Sequence, residues 1–367
     1  MITLFNLRPN TPNIGNDLIA LGMQSAVQSI LGRNVNLVSL PASNSMGPKG
    51  AGLTAKTVYE INRLADGLVV GPGNLFENGA LTIDLGALKA LHVPTMLFSV
   101  STGRVFDRTG QLAPRTDSMS PDKMATICNM ARPVLVRDAA TKDHLSNLGC
   151  DHARIMGCPA LLLGNTPFAS LPADPSLSNS VLISLRHPTL MSIPYSAQGR
   201  VHHEVRSLIH YCQGQRLDVK LLCHDYQDLS FAQMFPEVPA LYTEDPYRFL
   251  SWLRSCRLNI TFRLHAFIGC LAVGTPSIPF SYDERSLSLI DTIGMSEWAI
   301  CFLRSRDVLA DVKCRWNALE RLEELRSLAQ PTWDKLRNVM TQGIEDFASQ
   351  VKCRAAAVCS GAEHVLA

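Results

Sequence analysis

Residues 256–286 read CRLNITFRLHAFIGCLAVGTPSIPFSYDERS, and this stretch decides how the chain is read. Residues 258–262 form a short apolar run of strand length, followed at once by Arg263 and His265. A small-residue apolar segment then runs to Gly274, and a second strand, 275–281, delivers Tyr282, Asp283 and Arg285. Strand, helix and strand within about thirty residues make the βαβ unit of a parallel sheet. Ligands in such sheets sit outside the carboxyl ends of the strands. Arg263, His265 and the cluster 282–285 all fall at that edge, so the chemistry is expected there.

Outward from this unit the same rhythm continues in both directions. Strands are expected at 2–7, 34–40, 67–70, 94–100, 134–136 and 153–156, with helices at 17–31, 54–65, 81–91, 122–131 and 139–148 between them. Residues 165–179, NTPFASLPADPSLSN, carry three prolines and many small residues and read as a linker. A fresh alternation follows, with strands at 181–186, 217–223, 240–242, 258–262, 275–281 and 298–302. Two terminal helices, 308–329 and 332–358, have apolar spacing that suits either packing on the body or a dimer contact. The spacing therefore predicts an α/β protein with mostly parallel sheets and two Rossmann-like domains facing a cleft. Their boundaries are an N-terminal domain 1–164, a linker 165–179, a C-terminal domain 180–305 and terminal helices 306–367. Residues 41–52 are small, polar and glycine-rich and are expected to be mobile, and 101–121 is a long polar connection of the kind that is usually functional or disordered.

Composition narrows the class. The chain has 367 residues, 46% hydrophobic and 18% charged, which suits about two domains at a usual size of ~150 residues each. A formal net charge of +2 argues against a polybasic nucleic-acid surface while leaving room for a local anion site. Eleven cysteines are scattered, without a CxxC pair or a Cys/His ligand spacing. They read as buried, reduced thiols of a cytoplasmic protein, and no metal site is expected. No apolar segment approaches the ~18 residues that span a bilayer, and the N-terminus reads as a strand rather than a signal peptide.

Several further positions can bear chemistry. Arg263 at the strand exit and His265 in the first helical turn can converge on one anion, helped by the helix N-terminus, or else serve as a cap and a core histidine. Asn13, Gly15, Asn16 and Asp17 lie between the first strand and the first helix, where a phosphate or sugar can rest; the plainer reading makes Asp17 the helix cap. Gly71, Gly73 and Asn74 form a glycine turn after an apolar strand, without the Lys-Ser/Thr of a P-loop. Arg137 is either an ion-pair partner within its domain or part of the cleft wall. Arg186 ends the first strand of the second half, where it can meet an anion held by Arg263. His202, His203 and His210 have no carboxylate partner pattern and are expected at the surface.

In this order the motifs resemble the polysaccharide pyruvyl transferase family. The matching pieces are NIGND (13–17), GPGN (71–74), RDAAT (137–141), SLR (184–186) and, most specific, FRLHAFIGCLAVGTPSIPFSYD (262–283). The sequence departs from the usual pattern where Pro72 interrupts the glycines, where Asn16 separates Gly15 from Asp17, and where Glu284-Arg285 stand in place of a lysine. Arg285 offers that charge from a neighbouring position. The resemblance implies a fold similar to GT-B glycosyltransferases and transfer of pyruvate from phosphoenolpyruvate to two hydroxyls of a saccharide, or a lipid-linked saccharide, as a cyclic ketal. It implies phosphoenolpyruvate as donor substrate with no separate cofactor, and a cytoplasmic site of action, free or peripheral at a membrane. Arginines bind a neighbouring carboxylate and phosphate bidentately, so Arg186 and Arg263 are expected to clamp the donor. His265 is the expected acid or base. Arg137, Tyr282, Asp283 and Arg285 complete the binding set, and the loops 13–17 and 71–74 are expected to face the acceptor. The competing readings are a GT-B glycosyltransferase using a nucleotide sugar and a non-catalytic saccharide- or anion-binding relative. A homo-oligomer is left open.

Overall fold

A computed structural model of the chain describes residues 1–9, 11–43, 51–165 and 172–359. The first half contains the strands β1 (Ile2–Arg8), β2 (Val35–Pro41), β3 (Gly67–Val70), β4 (Thr95–Val100), a small antiparallel pair β5 (Val105–Phe106) and β6 (Leu112–Ala113), then β7 (Val134–Val136) and β8 (Arg154–Ile155). Apart from the pair, they form one parallel sheet in the order β2-β1-β3-β4-β7-β8. Between them lie α1 (Ile14–Leu31), α2 (Ala55–Leu64), α3 (Leu85–Leu88), α4 (Pro121–Met130) and α5 (Ala139–Ser146).

The second half repeats the scheme. Its strands are β9 (Ser180–Ser184), β10 (Asp218–Cys223), β11 (Ala240–Tyr242), β12 (Leu258–Thr261), β13 (Ser277–Ser281) and β14 (Ile300–Cys301). They make a second parallel sheet in the order β11-β10-β9-β12-β13-β14. The helices are α6 (Tyr195–Gly214), α7 (Tyr226–Ala232), α8 (Pro246–Ser255), α9 (Leu264–Val273), α10 (Glu284–Thr292), α11 (Val308–Trp316) and α12 (Leu319–Cys359). The central strands β3, β4, β7, β9, β12 and β13 are buried at every position. Helices cover both faces of each parallel sheet, so these strands are rich in apolar residues without alternating, and the polar residues within them, such as Asn259 and Thr261 of β12, are buried too.

Sequence and structure differ at several element boundaries. The helix expected from 17 begins at Ile14, because Asn13 rather than Asp17 is the cap: its Oδ1 accepts the Gly15 N–H at 3.0 Å. The helix expected over 81–91 shrinks to Leu85–Leu88, capped by Asp84. The two terminal helices expected from 308 are instead the short α11 and the long α12, with Pro331 inside it. A proline removes one backbone bond, which burial on both sides of it offsets. Leu322, Leu325 and Ala329 pack into the core of the second half. Met340, Ile344, Phe347 and Val351 pack against Leu4, Val69, Met96 and Phe98 of the first. The helix therefore ties the two sheets together. Seven cysteines, from Cys128 to Cys270, are buried and free, whereas Cys314 and Cys353 are exposed. Of the stretch expected to be mobile, 44–50 lies outside the described residues, as does 166–171 of the expected linker.

Candidate active site

The carboxyl ends of the strands in the two sheets face one another across a cavity of about 610 Å³. From the second half it is lined by Arg186, His224, Asp225, Arg263, His265, Tyr282, Asp283 and Arg285, and from the first by Asn13, Asn16, Asn74 and Arg137, among others. Four guanidinium groups thus converge on one space with two histidines.

Each arginine is held from behind. Arg263 is 3% exposed, and its Nε donates to the Leu185 carbonyl at 2.8 Å. Its Nη2 donates to Asp225 Oδ2 at 2.7 Å and to Asp228 Oδ2, while Nη1 has no partner. Asp228 is itself fixed by the backbone N–H groups of His187 and His224, at 2.8 and 2.9 Å. Burial works against the Arg263 charge, but the Asp228 and Asp225 carboxylates outweigh it and raise its pKa. Arg285 reaches into the first half, with Nη1 3.1 Å from Glu77 Oε2 and Nη2 2.6 Å from Asp283 Oδ2. Arg137 Nε lies 3.6 Å from Asp138 Oδ2, an ion pair too long for a hydrogen bond. Arg186 differs: its Nε donates to the Leu190 carbonyl at 2.9 Å, and among the described residues no carboxylate pairs with it. Burial, followed by the charges of Arg263 and Arg285, lowers its pKa. Among the described residues it is the cavity arginine without an ion pair, and carboxylate help to its charge comes at longer range from Asp228.

His265 stands in the first turn of α9, where the helix N-terminus adds its own positive end. Burial, then the charges of Arg137, Arg186, Arg263 and Arg285, push its pKa down to about 3. At neutral pH the imidazole is uncharged, and its Nε2 has no hydrogen-bond partner. It approaches α1 so closely that a Cβ on Gly15 would lie 2.7 Å from His265 Nδ1. Gly15 thus serves the site by having no side chain, although it does not line the cavity.

Other expected site residues also have structural partners, whether or not they line the cavity. Asp17 pairs with Arg8 at 3.1 Å and faces a neighbouring cavity instead. Gly71 (φ 118°) and Gly73 (φ 126°) do not line the space either. A Cβ on Gly71 would sit 2.1 Å from the Phe98 carbonyl oxygen, so this glycine is demanded by close packing of β3's exit on β4. Asn74 lines the cavity and donates to Glu77 Oε2 at 3.0 Å. Asp283 caps α10, accepting from Ser286 N at 2.9 Å. Burial opposes its ionisation, but Arg285 and the Ser286 hydrogen bonds hold its pKa at about 2. Tyr282 donates to the Phe262 carbonyl at 3.1 Å.

Sequence reasoning missed His224, Asp225 and Asp228, which begin where β10 ends and fall under the same strand-end rule that singled out Arg263. His224 is 1% exposed, and its Nε2 has no partner. Glu77 was missed because it shows no pattern of its own: its carboxylate gathers Arg285, Asn74 and the Gly103 N–H, the last at 2.7 Å. The polar connection 101–121 is also structural in part. Arg104 donates to Glu284 Oε1 through Nε at 2.8 Å, and His144 Nε2 lies 2.8 Å from Glu284 Oε2. Glu284, in the place where a lysine is usual, thus joins the two halves. His203 and His210 are exposed as expected, whereas His202 stacks on Phe235 with ring centroids 4.9 Å apart.

The fold has known counterparts, and the sequence has a known family. The chain resembles solved structures of sugar-nucleotide enzymes with the GT-B architecture. UDP-GlcNAc 2-epimerase from Neisseria meningitidis bound to UDP-GlcNAc matches with a TM-score of 0.54 and 8% identity, covering 98% of this chain and 100% of that one. The S. aureus MnaA–UDP structure matches at 0.53 and 10% identity, covering 100% and 98%. At such identities the likeness establishes the fold, which is GT-B-like as expected. No curated protein matches by sequence. The family model for polysaccharide pyruvyl transferase matches residues 13–284, and the chain belongs to that family.

Proposed function

We propose that the protein transfers pyruvate from phosphoenolpyruvate to two hydroxyls of a saccharide as a ketal, releasing phosphate. The observation that carries this reading is the convergence of Arg137, Arg186, Arg263 and Arg285 on one cavity around an uncharged His265. Phosphoenolpyruvate carries a carboxylate and a phosphate on adjacent positions of a three-carbon unit. Forked, preorganised guanidinium groups match both, and Arg186 supplies a charge that, among the described residues, has no ion-pair partner.

The overall reaction moves two protons. One acceptor hydroxyl loses its proton as its oxygen bonds to C2, and a proton reaches the terminal enol carbon, converting CH2 to CH3. The second hydroxyl then displaces phosphate from C2, and its proton leaves with the departing hydrogen phosphate. Charge balances, because a donor trianion becomes a carboxylate and a phosphate dianion. His265, neutral in the empty site, is suited to accept the first hydroxyl proton. The bound trianion offsets the four arginines and raises the imidazole pKa, which is the direction required for that proton to be held and passed on. The arginines stabilise the departing phosphate electrostatically. No separate cofactor enters the scheme, and the acceptor approaches over the loop of Asn13 and Asn16 and beside Asn74.

The test is phosphoenolpyruvate-dependent phosphate release with a panel of saccharide acceptors, using wild type and His265→Gln. Release that requires both substrates and falls about 10²–10⁴-fold in the variant is expected, the range typical of a lost general acid–base group. Equal turnover by the variant contradicts the role of His265. Tight binding of uridine diphosphate with no binding of phosphoenolpyruvate overturns the donor assignment.

A further inference from the structure

A second cavity of about 510 Å³ lies beside the first and shares Thr11, Pro12 and His224 with it. It runs between α1 and the exit of β11, so both halves of the molecule build it. Its chemistry is the opposite of the arginine cavity. Its one arginine, Arg8, is paired with Asp17 at 3.1 Å, and Glu244 adds a second carboxylate. An anion has little to gain here.

What the space offers is hydrogen bonding of mixed polarity beside apolar surface. Asn6 is fully buried, and its Nδ2 donates to the carbonyls of Val69 (3.2 Å) and Gly71 (2.5 Å). Those contacts fix the amide orientation, so Oδ1 is an acceptor, and it has no partner. Nor does Nε2 of His224, which lines both cavities. Buried polar atoms left unpaired are costly, about 1–3 kcal/mol each, and two along one cavity point to a ligand that supplies donors and acceptors. Gln24 adds an amide, and Leu21 and Leu37 add apolar wall.

The rim is aromatic. Tyr226 lines the arginine cavity and Tyr242 the second one, and their ring centroids are 5.6 Å apart. Both hydroxyls donate to Glu244 Oε1, at 2.5 and 3.1 Å, which fixes the two rings side by side. Tyr226 is 56% exposed. Flat apolar ring faces next to carboxylates and amides suit a pyranose, which presents C–H bonds on its faces and hydroxyls around its edge.

We infer that this second cavity is a saccharide subsite: it holds a neutral sugar unit of the acceptor beyond the one that reacts, with the chain passing Thr11, Pro12 and His224. The inference rests on the ketal-forming reading for the word acceptor, but the binding it claims needs no chemistry. A mono-, di- and trisaccharide panel built from glucose, galactose and mannose is titrated against the full-length chain by calorimetry and by ligand-observed NMR. Phosphoenolpyruvate is titrated separately. Two variants accompany wild type: Ala20→Phe, whose ring would fill the cavity from α1, and Glu244→Gln, which keeps shape while removing the charge that both tyrosine hydroxyls donate to.

Expected is binding of at least one di- or trisaccharide at least 10-fold tighter than its monosaccharide. That gain should be lost in Ala20→Phe and reduced several-fold in Glu244→Gln, with phosphoenolpyruvate binding unchanged in both. Unchanged phosphoenolpyruvate binding also reports that Ala20→Phe has folded; should it not fold, Glu244→Gln decides. If no member of the panel binds wild type, or the variants bind it equally, the subsite is wrong while the donor reading stands. If saccharides bind and Ala20→Phe loses them but phosphoenolpyruvate binds no form, the donor reading fails and the subsite survives.

Discussion

The two halves present the carboxyl ends of similar sheets to the same cavity, yet they spend their residues differently. In the second half, the strand exits of β9, β12 and β13 each deliver side chains that line the cavity: Arg186, then Arg263 and His265, then Tyr282, Asp283 and Arg285. In the first half, the corresponding exits hold Gly15, Gly71 and Gly73, which let backbone and neighbouring side chains come close, with Asn13 acting as a helix cap. The second half supplies three of the four cavity arginines; the first supplies Arg137 at the exit of β7 and, at its glycine exits, shape. A motif at a strand end therefore identifies a site, but only its packing says whether the residue touches a ligand or makes room for one that does.

This contrast can be broken by mutation, beginning where the effect is largest. Arg263→Ala should destabilise the fold as well as abolish donor binding. It leaves Asp225 and Asp228 without their cation, and breaking a buried pair costs about 3–5 kcal/mol. Chemical denaturation checks this, and a variant as stable as wild type would show that the carboxylates do not depend on the arginine. Gly71→Ala should also destabilise, by upwards of about 1–3 kcal/mol for backbone strain alone, through its clash with the Phe98 carbonyl. Its phosphoenolpyruvate affinity per folded molecule should be unchanged, and a selective loss of affinity would return Gly71 to the binding set.

Smaller effects sharpen the comparison. Gly15→Ala should displace His265, lowering kcat by up to about 10²-fold, the effect of a misplacement near 1 Å, with little change in donor affinity. Equal kcat would mean that the imidazole position is not set by α1. The last effect is on acid stability. The folded pKa of His265 is about 3, below its ordinary value of 6.5, so the unfolded chain binds the extra proton. Its contribution is then fully present above pH 6.5 and is lost as pH falls towards 3. Asp283 and Glu284, both held at about 2, act in the same sense at the lower end of that window. In His265→Gln the loss of stability between pH 6.5 and 4.5 should be shallower than in wild type. Parallel curves would place the imidazole pKa near its ordinary value.

Much of the architecture was legible because parallel strands buried on both faces leave continuous apolar runs at 67–70 and 134–136 and apolar-rich stretches at 258–262 and 275–281. The end of the chain was not: Pro331 reads locally as a helix stop, and only the burial of Leu325 and Ala329 before it and of Met340 and Ile344 after it keeps α12 continuous. At the site, Arg263, His265 and Arg285 stood out by their place at strand exits. Asp17 and the glycines at 71 and 73 had the same placement, but their surroundings show only in the fold: Asp17 pairs with Arg8 and lines the second cavity, while Gly71 packs on the Phe98 carbonyl and Gly73 beside Pro9. His224 was legible and passed over. Glu77 was not, since its importance lies in the Arg285 that reaches it from the other half.

The central proposal is a donor-anion site between the sheets that draws on Arg186, the cavity arginine with no ion pair among the described residues. Its most direct test is calorimetric titration of wild type and Arg186→Ala with phosphoenolpyruvate, because Arg186 has no carboxylate partner to strand when it is removed. Saturable binding by wild type, weakened at least 10-fold in a variant that unfolds at the same denaturant concentration, is the expected result. Equal affinity in the two proteins, or no binding by wild type, would contradict it.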